Sequence, residues 1–347
     1  MHATLTLALV ASLGVSTLAR QIAEPVRTPH ANLQVEQSVG LPRMTHVTAE
    51  GVHLSYLLVT PAKRDFRYRT ARGANGNLHY ELRVKPVQSA LPARGAVIFL
   101  HGWSGNGDQF APWALALAER GYAGIAVDLR GHGDSSDAPA GYGPREAADI
   151  ADLVRTLLAE GRIRPPVYLM GSSYGATTAL FAEPALRDVL DGIVAFAPFP
   201  SAQEGIRGAL DLARASDARG IGGHIARAVV RRIDDDDVDA AIERAGKRLG
   251  TDLRTVDARP IVAASRTCIL FLHGADDRMF PPSGSQALAA SSTVASATVI
   301  PGHGHVDLPV RVDWLAAPVT EWMAASAQRE GGACPTFTLP LEPRPSD

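Results

Sequence analysis

Residues 168–176 of this chain read YLMGSSYGA. The apolar run from Val167 to Met170 predicts a short buried strand, and a helical pattern begins at Ala176. The pattern Gly-x-Ser-x-Gly at residues 171–175 therefore falls at a predicted strand-to-helix turn, which is the structural context that this pattern requires.

The turn is expected to hold Ser173 away from the sheet. An abrupt change from strand to helix forces the residue at the apex into a strained backbone conformation. Gly171 and Gly175 lack side chains, so the strand and the helix can approach closely. Ser173 then points outward beside the N-terminus of the helix. A Gly/Ser-rich turn can match so short a pattern by chance, so the interpretation depends on further segments.

Strands and helices alternate regularly after residue 92. The predicted strands are apolar runs of the kind that is covered on both faces, at 96–100, 122–129, 167–170, 192–196, 269–272 and 297–300. Helices are predicted at 109–120 and 144–160 and from about residues 173, 283 and 310. Crossovers of this length imply an α/β fold with a mainly parallel sheet and helices on both faces.

The chain before residue 92 shows a different pattern. Residues 24–45 contain several prolines and no clear period, which indicates an extended lead-in. Strands are predicted at 52–59, 66–69 and 78–84, as an antiparallel meander with a turn at 73–77.

The segment between Phe199 and Cys268 interrupts the alternation and is rich in Ala, Arg and Asp. Its helical stretches are predicted at 209–215, 221–232 and 238–249, and the acidic run 234–237 can cap the last of them. We interpret it as a small helical cap over the carboxyl edge of the sheet. The predicted division is 1–23 as a signal peptide or N-terminal extension, 24–199 and 268–330 as the core, 200–267 as the cap and 331–347 as a tail.

Length and composition favour one large domain, or one domain with an insertion. The chain has 347 residues, of which 46% are hydrophobic, so it can bury a large core. Its 34 basic and 36 acidic residues give a formal net charge of -2. This balance offers no general attraction for nucleic acid or for an anionic membrane, and we expect neither as a partner.

The N-terminus has the features of an export signal. Residues 5–15 form an apolar and small-residue run, and Thr17-Leu18-Ala19 fits a small-x-small cleavage site, which predicts a secreted or periplasmic protein. The n-region has no Lys or Arg, so a retained N-terminal extension on a cytoplasmic protein is the alternative. A membrane anchor is not expected, because residues 5–18 as a helix would span about 21 Å of a hydrocarbon core of about 30 Å.

The two cysteines, Cys268 and Cys334, are too few to build a metal site alone. In an exported protein they are predicted to pair and tie the tail to the core, and a buried, inert Cys268 is the alternative.

Ser173 needs a base to act as a nucleophile, and the base needs a group that orients it. The best-placed histidine is His305, in the glycine-rich loop 301–306 after the last predicted strand, with His303 as its competitor. The orienting acid is expected after the preceding strand, where Asp276 and Asp277 are adjacent. The chain order serine, acid, histidine is one of the known orders for such a triad.

The loop after the strand at 96–100 reads HGWSG, residues 101–105. Backbone N–H groups in this position can stabilise a developing oxyanion, and the predicted donors are the N–H groups of Trp103 and Tyr174. His101 is predicted to be structural and to hold the loop.

Together these segments resemble the α/β-hydrolase-fold serine hydrolases, of the esterase and lipase type. The matching segments cover roughly residues 95–325 and read HGWSG, DLRGHGDS, GSSYGA, HGADDRMFP and PGHGH. The resemblance implies an eight-stranded sheet and hydrolysis through an acyl-enzyme. It also implies that Asp128 and His132 are structural. The family's spacing of glycine, acid and proline is matched by Gly274, Asp277 and Pro281, which assigns the acid to Asp277.

Two features depart from the simplest members of the family. The residue after the nucleophile is Tyr174, as in prolyl-oligopeptidase-like peptidases, so peptidase activity stays open. The meander before residue 92 is long, and we expect it to lengthen the antiparallel edge of the sheet.

We therefore predict a serine esterase that acts on a small-molecule carboxylic ester through Ser173, His305 and Asp277. No cofactor and no metal are expected. The alternatives are a serine peptidase or amidase, an acyltransferase or cofactor-free perhydrolase, and, least favoured, a non-catalytic binding protein of the same fold. Neither the particular ester nor the oligomeric state can be read from the sequence.

Overall fold

The computed structural model of this protein describes residues 14–30, 40–72, 78–215, 233–329 and 332–343. The predicted turn at 73–77 and the predicted helix at 221–232 lie outside the described residues. Within the described residues, no helix combines the length and the apolar character that crossing a bilayer requires.

The centre of the fold is an eight-stranded sheet with the strand order β1-β2-β8-β7-β9-β10-β11-β12. Its strands are β1 (Arg43–Val47), β2 (His53–Val59), β7 (Gly95–Leu100), β8 (Tyr122–Val127), β9 (Val167–Ser172), β10 (Leu190–Phe196), β11 (Ile269–Gly274) and β12 (Ala295–Ile300). Neighbouring strands from β8 to β12 in this spatial order pair in parallel, whereas β2 pairs antiparallel with both β1 and β8. The mainly parallel, eight-stranded sheet that the sequence predicts is confirmed.

Helices cover both faces of this sheet. They are α1 (Ala111–Ala118), α2 (Pro144–Ala159), α3 (Tyr174–Leu186), α4 (Ala202–Ala215), α5 (Asp235–Leu249), α6 (Arg259–Ala264), α7 (Pro282–Ala290), α8 (Asp307–Val310) and α9 (Val312–Ala327). Residues 14–23 are also helical and are called the N-terminal helix below. One core layer contains the buried side chains of the N-terminal helix, α2 and α3, and the opposite layer contains those of α1 and α9. Strands β7, β8 and β9 are buried along their whole length, which explains their continuous apolar sequences.

Two sequence predictions need correction at the N-terminal side. The lead-in ends earlier than expected, because β1 (Arg43–Val47) adds an edge strand next to β2. The strands β4 (Phe66–Arg72) and β5 (Leu78–Val84) form a separate two-stranded sheet, so the expectation that they lengthen the main sheet is wrong. Tyr68 donates its hydroxyl to the Val310 carbonyl at 2.5 Å, which ties this hairpin to the C-terminal helices instead. A further short pair joins β3 (Ala62–Lys63) to β6 (Ser89–Ala90).

The segment between β10 and β11 contains α4, α5 and α6. Asp234 accepts a hydrogen bond from the Asp237 N–H at 2.8 Å and caps α5, as the acidic run predicts. A disulfide joins Cys268, at the start of β11, to Cys334 in the tail, with a Cα–Cα distance of 5.6 Å. The predicted pairing is thereby confirmed, and it fastens the tail to the sheet.

Candidate active site

Ser173 occupies a sharp turn between β9, which ends at Ser172, and α3, which begins at Tyr174. Its backbone has φ 54° and ψ -116°, a conformation that is strained for a residue with a side chain. Gly171 and Gly175 on either side of it are required because a side chain at either position would clash with the backbone. A Cβ atom on Gly171 would lie 2.4 Å from the Gly175 carbonyl carbon, and one on Gly175 would lie 2.1 Å from the Leu100 carbonyl oxygen.

The loops after β11 and β12 bring Asp277 and His305 together. The carboxylate Oδ2 of Asp277 accepts a hydrogen bond from Nδ1 of His305 at 2.7 Å. Its Oδ1 accepts from the backbone N–H groups of Met279 and Phe280 at 2.8 and 2.9 Å. Because Nδ1 of His305 donates to a carboxylate, Nε2 is left to act as an acceptor. The His305 side chain is 10% exposed, and it lines the same cavity as Ser173.

A second histidine supports the acid, and the sequence analysis missed it. His273 is fully buried within β11, and its Nε2 donates to Asp277 Oδ2 and to the Phe280 carbonyl, both at 3.0 Å. Its Nδ1 lies 2.7 Å from the Ser285 hydroxyl, which fixes the other side of the ring. Burial raises the pKa of Asp277, but hydrogen bonds from His273 and His305 outweigh that effect and hold the pKa well below its ordinary value. Asp277 is therefore kept as a carboxylate.

The two competing residues lie elsewhere. Asp276 is exposed, and its backbone N–H donates to the His303 carbonyl at 2.9 Å. His303 is buried, with Nε2 3.3 Å from Glu342 and its ring 5.6 Å from that of Trp314. Of the two histidines in this loop, the one that contacts the Asp277 carboxylate and lines the cavity is thus His305.

The loop 101–105 lies against the serine turn, where a Cβ atom on Gly102 would be 3.6 Å from Cβ of Ser173. The backbone N–H of Tyr174 belongs to the first turn of α3 and has no acceptor within the helix. The Trp103 ring packs edge-on against Tyr174 at 5.1 Å. Trp103 and Tyr174 both line the cavity that contains Ser173.

His101 and His132 have structural roles here. His101 is fully buried, with Nε2 accepting from the Leu129 N–H at 3.0 Å and Nδ1 donating to the Gly102 carbonyl at 2.7 Å. Burial lowers the pKa of His101 to about 3 and that of His132 to about 4, so both rings are neutral at pH 7. The edge-on contact between His132 and Trp103, at 5.4 Å, helps to hold the loop.

Residues 26–30, called the strap below, fasten the same loop from outside. Ser104 has φ 58°, a strained value for serine. Its hydroxyl accepts from the Val26 N–H at 3.1 Å, and its carbonyl accepts from the Thr28 hydroxyl at 2.5 Å. The side-chain amide of Asn106 donates to the Thr28 carbonyl at 2.8 Å. The strap thus stabilises the strained residue next to Trp103.

The strap ends at an ion-pair cluster that contains the donor set of a metal site. Ligand atoms of His30, Asp128 and Asp134 lie within 4.8 Å of one another. Both ring nitrogens of His30 already face carboxylates, at 2.7 Å from Asp108 and 3.0 Å from Asp128, and Arg43 pairs with Asp108 as well. Burial lowers the pKa of His30, but the hydrogen bonds to the two carboxylates outweigh it and raise the pKa to about 10. Because both ring nitrogens of His30 already have carboxylate partners, we interpret this cluster as a structural ion pair.

The serine turn opens into a cavity of about 800 Å³. Its walls come from the N-terminal helix, the loop 101–105, α4 and the loops that hold Asp277 and His305. A second cavity of about 290 Å³ shares Gln109, Ser172 and Val306 with the first. Polar residues of the strap and of the loop after β7, including Thr28 and Asn106, line the smaller cavity. Both cavities are lined mainly by apolar surface, and the smaller one also has the polar groups of Thr28, Ser104 and Asn106 on its wall.

A sequence profile of the alpha/beta hydrolase family matches residues 97–317. The chain is similar to the pimeloyl-acyl-carrier protein methyl ester esterase of Xanthomonas axonopodis pv. citri, at 30% identity over 66% of this chain and 95% of that enzyme. It is also similar to the 2-(acetamidomethylene)succinate hydrolase of Mesorhizobium japonicum, at 37% identity over 30% of this chain and 36% of that enzyme. The Pyrococcus furiosus esterase Pf2001 superposes with a TM-score of 0.59 at 15% identity, over 86% of this chain and 99% of that chain. The last similarity shows the fold alone.

Proposed function

This chain belongs to the alpha/beta hydrolase family, and from that premise we propose that it hydrolyses carboxylic esters with Ser173 as nucleophile. The catalytic residues in this proposal are Ser173, His305 and Asp277, and the oxyanion donors are the backbone N–H groups of Trp103 and Tyr174. The observation that carries it is the 2.7 Å hydrogen bond from His305 to Asp277, with His305 and Ser173 on the wall of one cavity.

The acylation step uses the free Nε2 of His305. Nε2 takes the hydroxyl proton of Ser173 while the serine oxygen attacks the ester carbonyl. Asp277 keeps the ring in the required tautomer and stabilises the imidazolium that forms. The N–H groups of Trp103 and Tyr174 stabilise the oxyanion, and His305 then protonates the leaving alcohol.

Deacylation repeats these roles with water. His305 removes a proton from a water molecule, which attacks the acyl-serine and releases the carboxylic acid. The strain at Ser173 and Ser104 supports this proposal, because both residues are held in fixed positions before substrate binds. The nucleophile and the oxyanion loop therefore need no rearrangement when the substrate binds.

Ester substrates are favoured over amides by one of the relatives and by the site. The Xanthomonas axonopodis relative, which aligns over 95% of its length, is an esterase. Among the described residues that line the large cavity there is no Asp, Glu, Lys or Arg, which a peptide's charged ends or side chains would need as partners. The large cavity suits an apolar acyl group, and the smaller cavity, which has Thr28 and Asn106 on its wall, suits the alcohol.

The Cys268–Cys334 disulfide supports the further proposal that the enzyme works in an oxidising compartment, as a secreted or periplasmic protein does. Fractionation of expressing cells would test this. Activity found in the cytoplasmic fraction with both thiols reduced would contradict it.

The function is tested by rates on p-nitrophenyl esters and on aminoacyl anilides. We expect turnover of the esters, little turnover of the anilides, and essentially complete loss in Ser173→Ala. Ser172→Ala is the matched control and should keep most of the activity, because only the middle residue of the turn points outward. Preference for the anilides would indicate an amidase, and acyl transfer to added alcohol or peroxide in preference to water would indicate a transferase or perhydrolase.

A further inference from the structure

One wall of the large cavity comes from the N-terminal helix. Its lining residues are Gly14, Thr17, Leu18, Gln21 and Ile22. They are spaced three or four residues apart, so they form a single stripe along one face of the helix. Arg20, on the opposite face, is exposed and does not line the cavity.

A facing wall comes from α4 (Ala202–Ala215) with the same spacing. Its lining residues include Ile206, Ala209, Leu210 and Ala213. Two helix stripes therefore border the cavity that also contains Ser173, and their apolar side chains are Leu18 and Ile22 of the N-terminal helix and the four residues of α4. The apolar surface of these stripes faces the space where the acyl part of an ester would lie.

The N-terminal helix is fixed to the rest of the protein. Ala19 and Ala23 are buried in the core layer shared with α2 and α3. The Tyr142 hydroxyl donates to the Ile22 carbonyl at 2.7 Å, and Arg248 pairs with Glu24 at 3.2 Å. These contacts on both sides of the stripe hold Leu18 and Ile22 toward the cavity.

We infer that the N-terminal helix is a wall of an acyl-chain site, and that Leu18 and Ile22 are specificity-determining residues that set the length of an uncharged, apolar acyl group. This inference rests on the ester hydrolysis proposed above, and it requires that the N-terminal helix is retained in the active enzyme and not removed as a signal peptide. A free carboxylate at the far end of the acyl group would meet apolar side chains and is disfavoured. Each methylene that the site buries should raise kcat/KM by roughly three- to fourfold, until the cavity is filled.

The test compares p-nitrophenyl esters from acetate to dodecanoate. Leu18→Trp and Ile22→Trp should move the optimum to shorter acyl groups, with the ratio of kcat/KM on decanoate to that on acetate falling by at least roughly tenfold. Arg20→Trp is the matched control on the exposed face and should keep the wild-type profile. An unchanged profile in both lining variants, or an equal shift in Arg20→Trp, would overturn the inference.

Smaller substitutions cover the case in which a tryptophan prevents folding. Leu18→Ala and Ile22→Ala should lose more kcat/KM on octanoate and decanoate than on acetate. Equal losses on all acyl lengths would instead indicate a general structural defect and would count against the inference.

A second readout separates failure of this inference from failure of the proposed function. Alkyl fluorophosphonates of methyl, octyl and dodecyl chain length are reacted with each variant, and the rate of Ser173 modification is measured. A rate of Ser173 modification that depends on chain length, with a dependence that the Leu18 and Ile22 variants change, supports the role of the N-terminal helix. Modification of Ser173 without chain-length dependence would refute the role of the N-terminal helix and leave the proposed ester hydrolysis intact. No modification of the wild type would refute both proposals.

Discussion

Asp277→Asn tests how the acid acts, because the substitution keeps the size of the side chain and removes its charge. The carboxylate accepts four hydrogen bonds, from Nδ1 of His305, Nε2 of His273 and the N–H groups of Met279 and Phe280. An asparagine side chain has one acceptor oxygen, and its NH2 group can only donate. If the asparagine oxygen keeps the hydrogen bonds from the two backbone N–H groups, the NH2 group faces both histidines.

The consequence for catalysis is a change of tautomer at His305. A donor opposite Nδ1 forces that nitrogen to accept, so the proton moves to Nε2 and the ring can no longer take the proton of Ser173. The equivalent substitution in a serine protease lowers kcat about ten-thousand-fold, which corresponds to about 5 kcal/mol in the barrier. We expect a loss of that order in kcat.

The assay is kcat on p-nitrophenyl butyrate, normalised by the fraction of protein that shows a native unfolding transition. Asp276→Asn is the matched control, because Asp276 is adjacent but exposed, and its kcat should stay within about twofold of wild type. Near-wild-type activity in Asp277→Asn, or a collapse in Asp276→Asn, would refute the reasoning.

Two further predictions concern stability. Cys334→Ser opens the disulfide to Cys268, which spans 66 residues, and should lower the free energy of unfolding by about 4 kcal/mol in the chain-entropy model, as measured by urea denaturation. The pKa of His30 is raised to about 10, so its ion pairs stabilise the protein fully below the unfolded pKa of about 6.5 and lose that effect as the pH rises through 10. His30→Gln should therefore cost most stability at pH 6 and progressively less toward pH 10.5.

Each of these predictions has a contradicting result. Two free thiols in a titration of the unreduced, denatured protein would show that Cys268 and Cys334 are not joined. A difference in unfolding free energy between wild type and His30→Gln that stays constant from pH 6 to 10.5 would show that the ring is not held as an imidazolium.

Local patterns predicted the parts of this fold that depend on neighbouring residues. The strand, turn and helix around Ser173 follow from apolar runs and glycines within ten residues, and β9 and the start of α3 lie close to the predicted positions. The resemblance to the family, through its spacing of glycine, acid and proline at Gly274, Asp277 and Pro281, selected the acid that contacts His305 in the structure.

The sequence could not predict features that depend on distant contacts. The alternating pattern of β4 and β5 predicts strands but does not say which sheet they join. His273 lies within an apolar strand, and its contact with Asp277 becomes visible only once the loop is placed. Residues 14–23 have the composition of a signal peptide, yet the same apolar residues form a helix with one face buried. Composition does not distinguish these two roles.

Covalent labelling tests whether Ser173 is the nucleophile. The intact wild-type protein is treated with a fluorophosphonate, and the modified peptide is mapped by mass spectrometry, with Ser173→Ala and Ser172→Ala treated in parallel. We predict one adduct per chain on Ser173 in the wild type and in Ser172→Ala, and none in Ser173→Ala. An unlabelled wild type, or an adduct on Ser172 or another residue, would contradict the account.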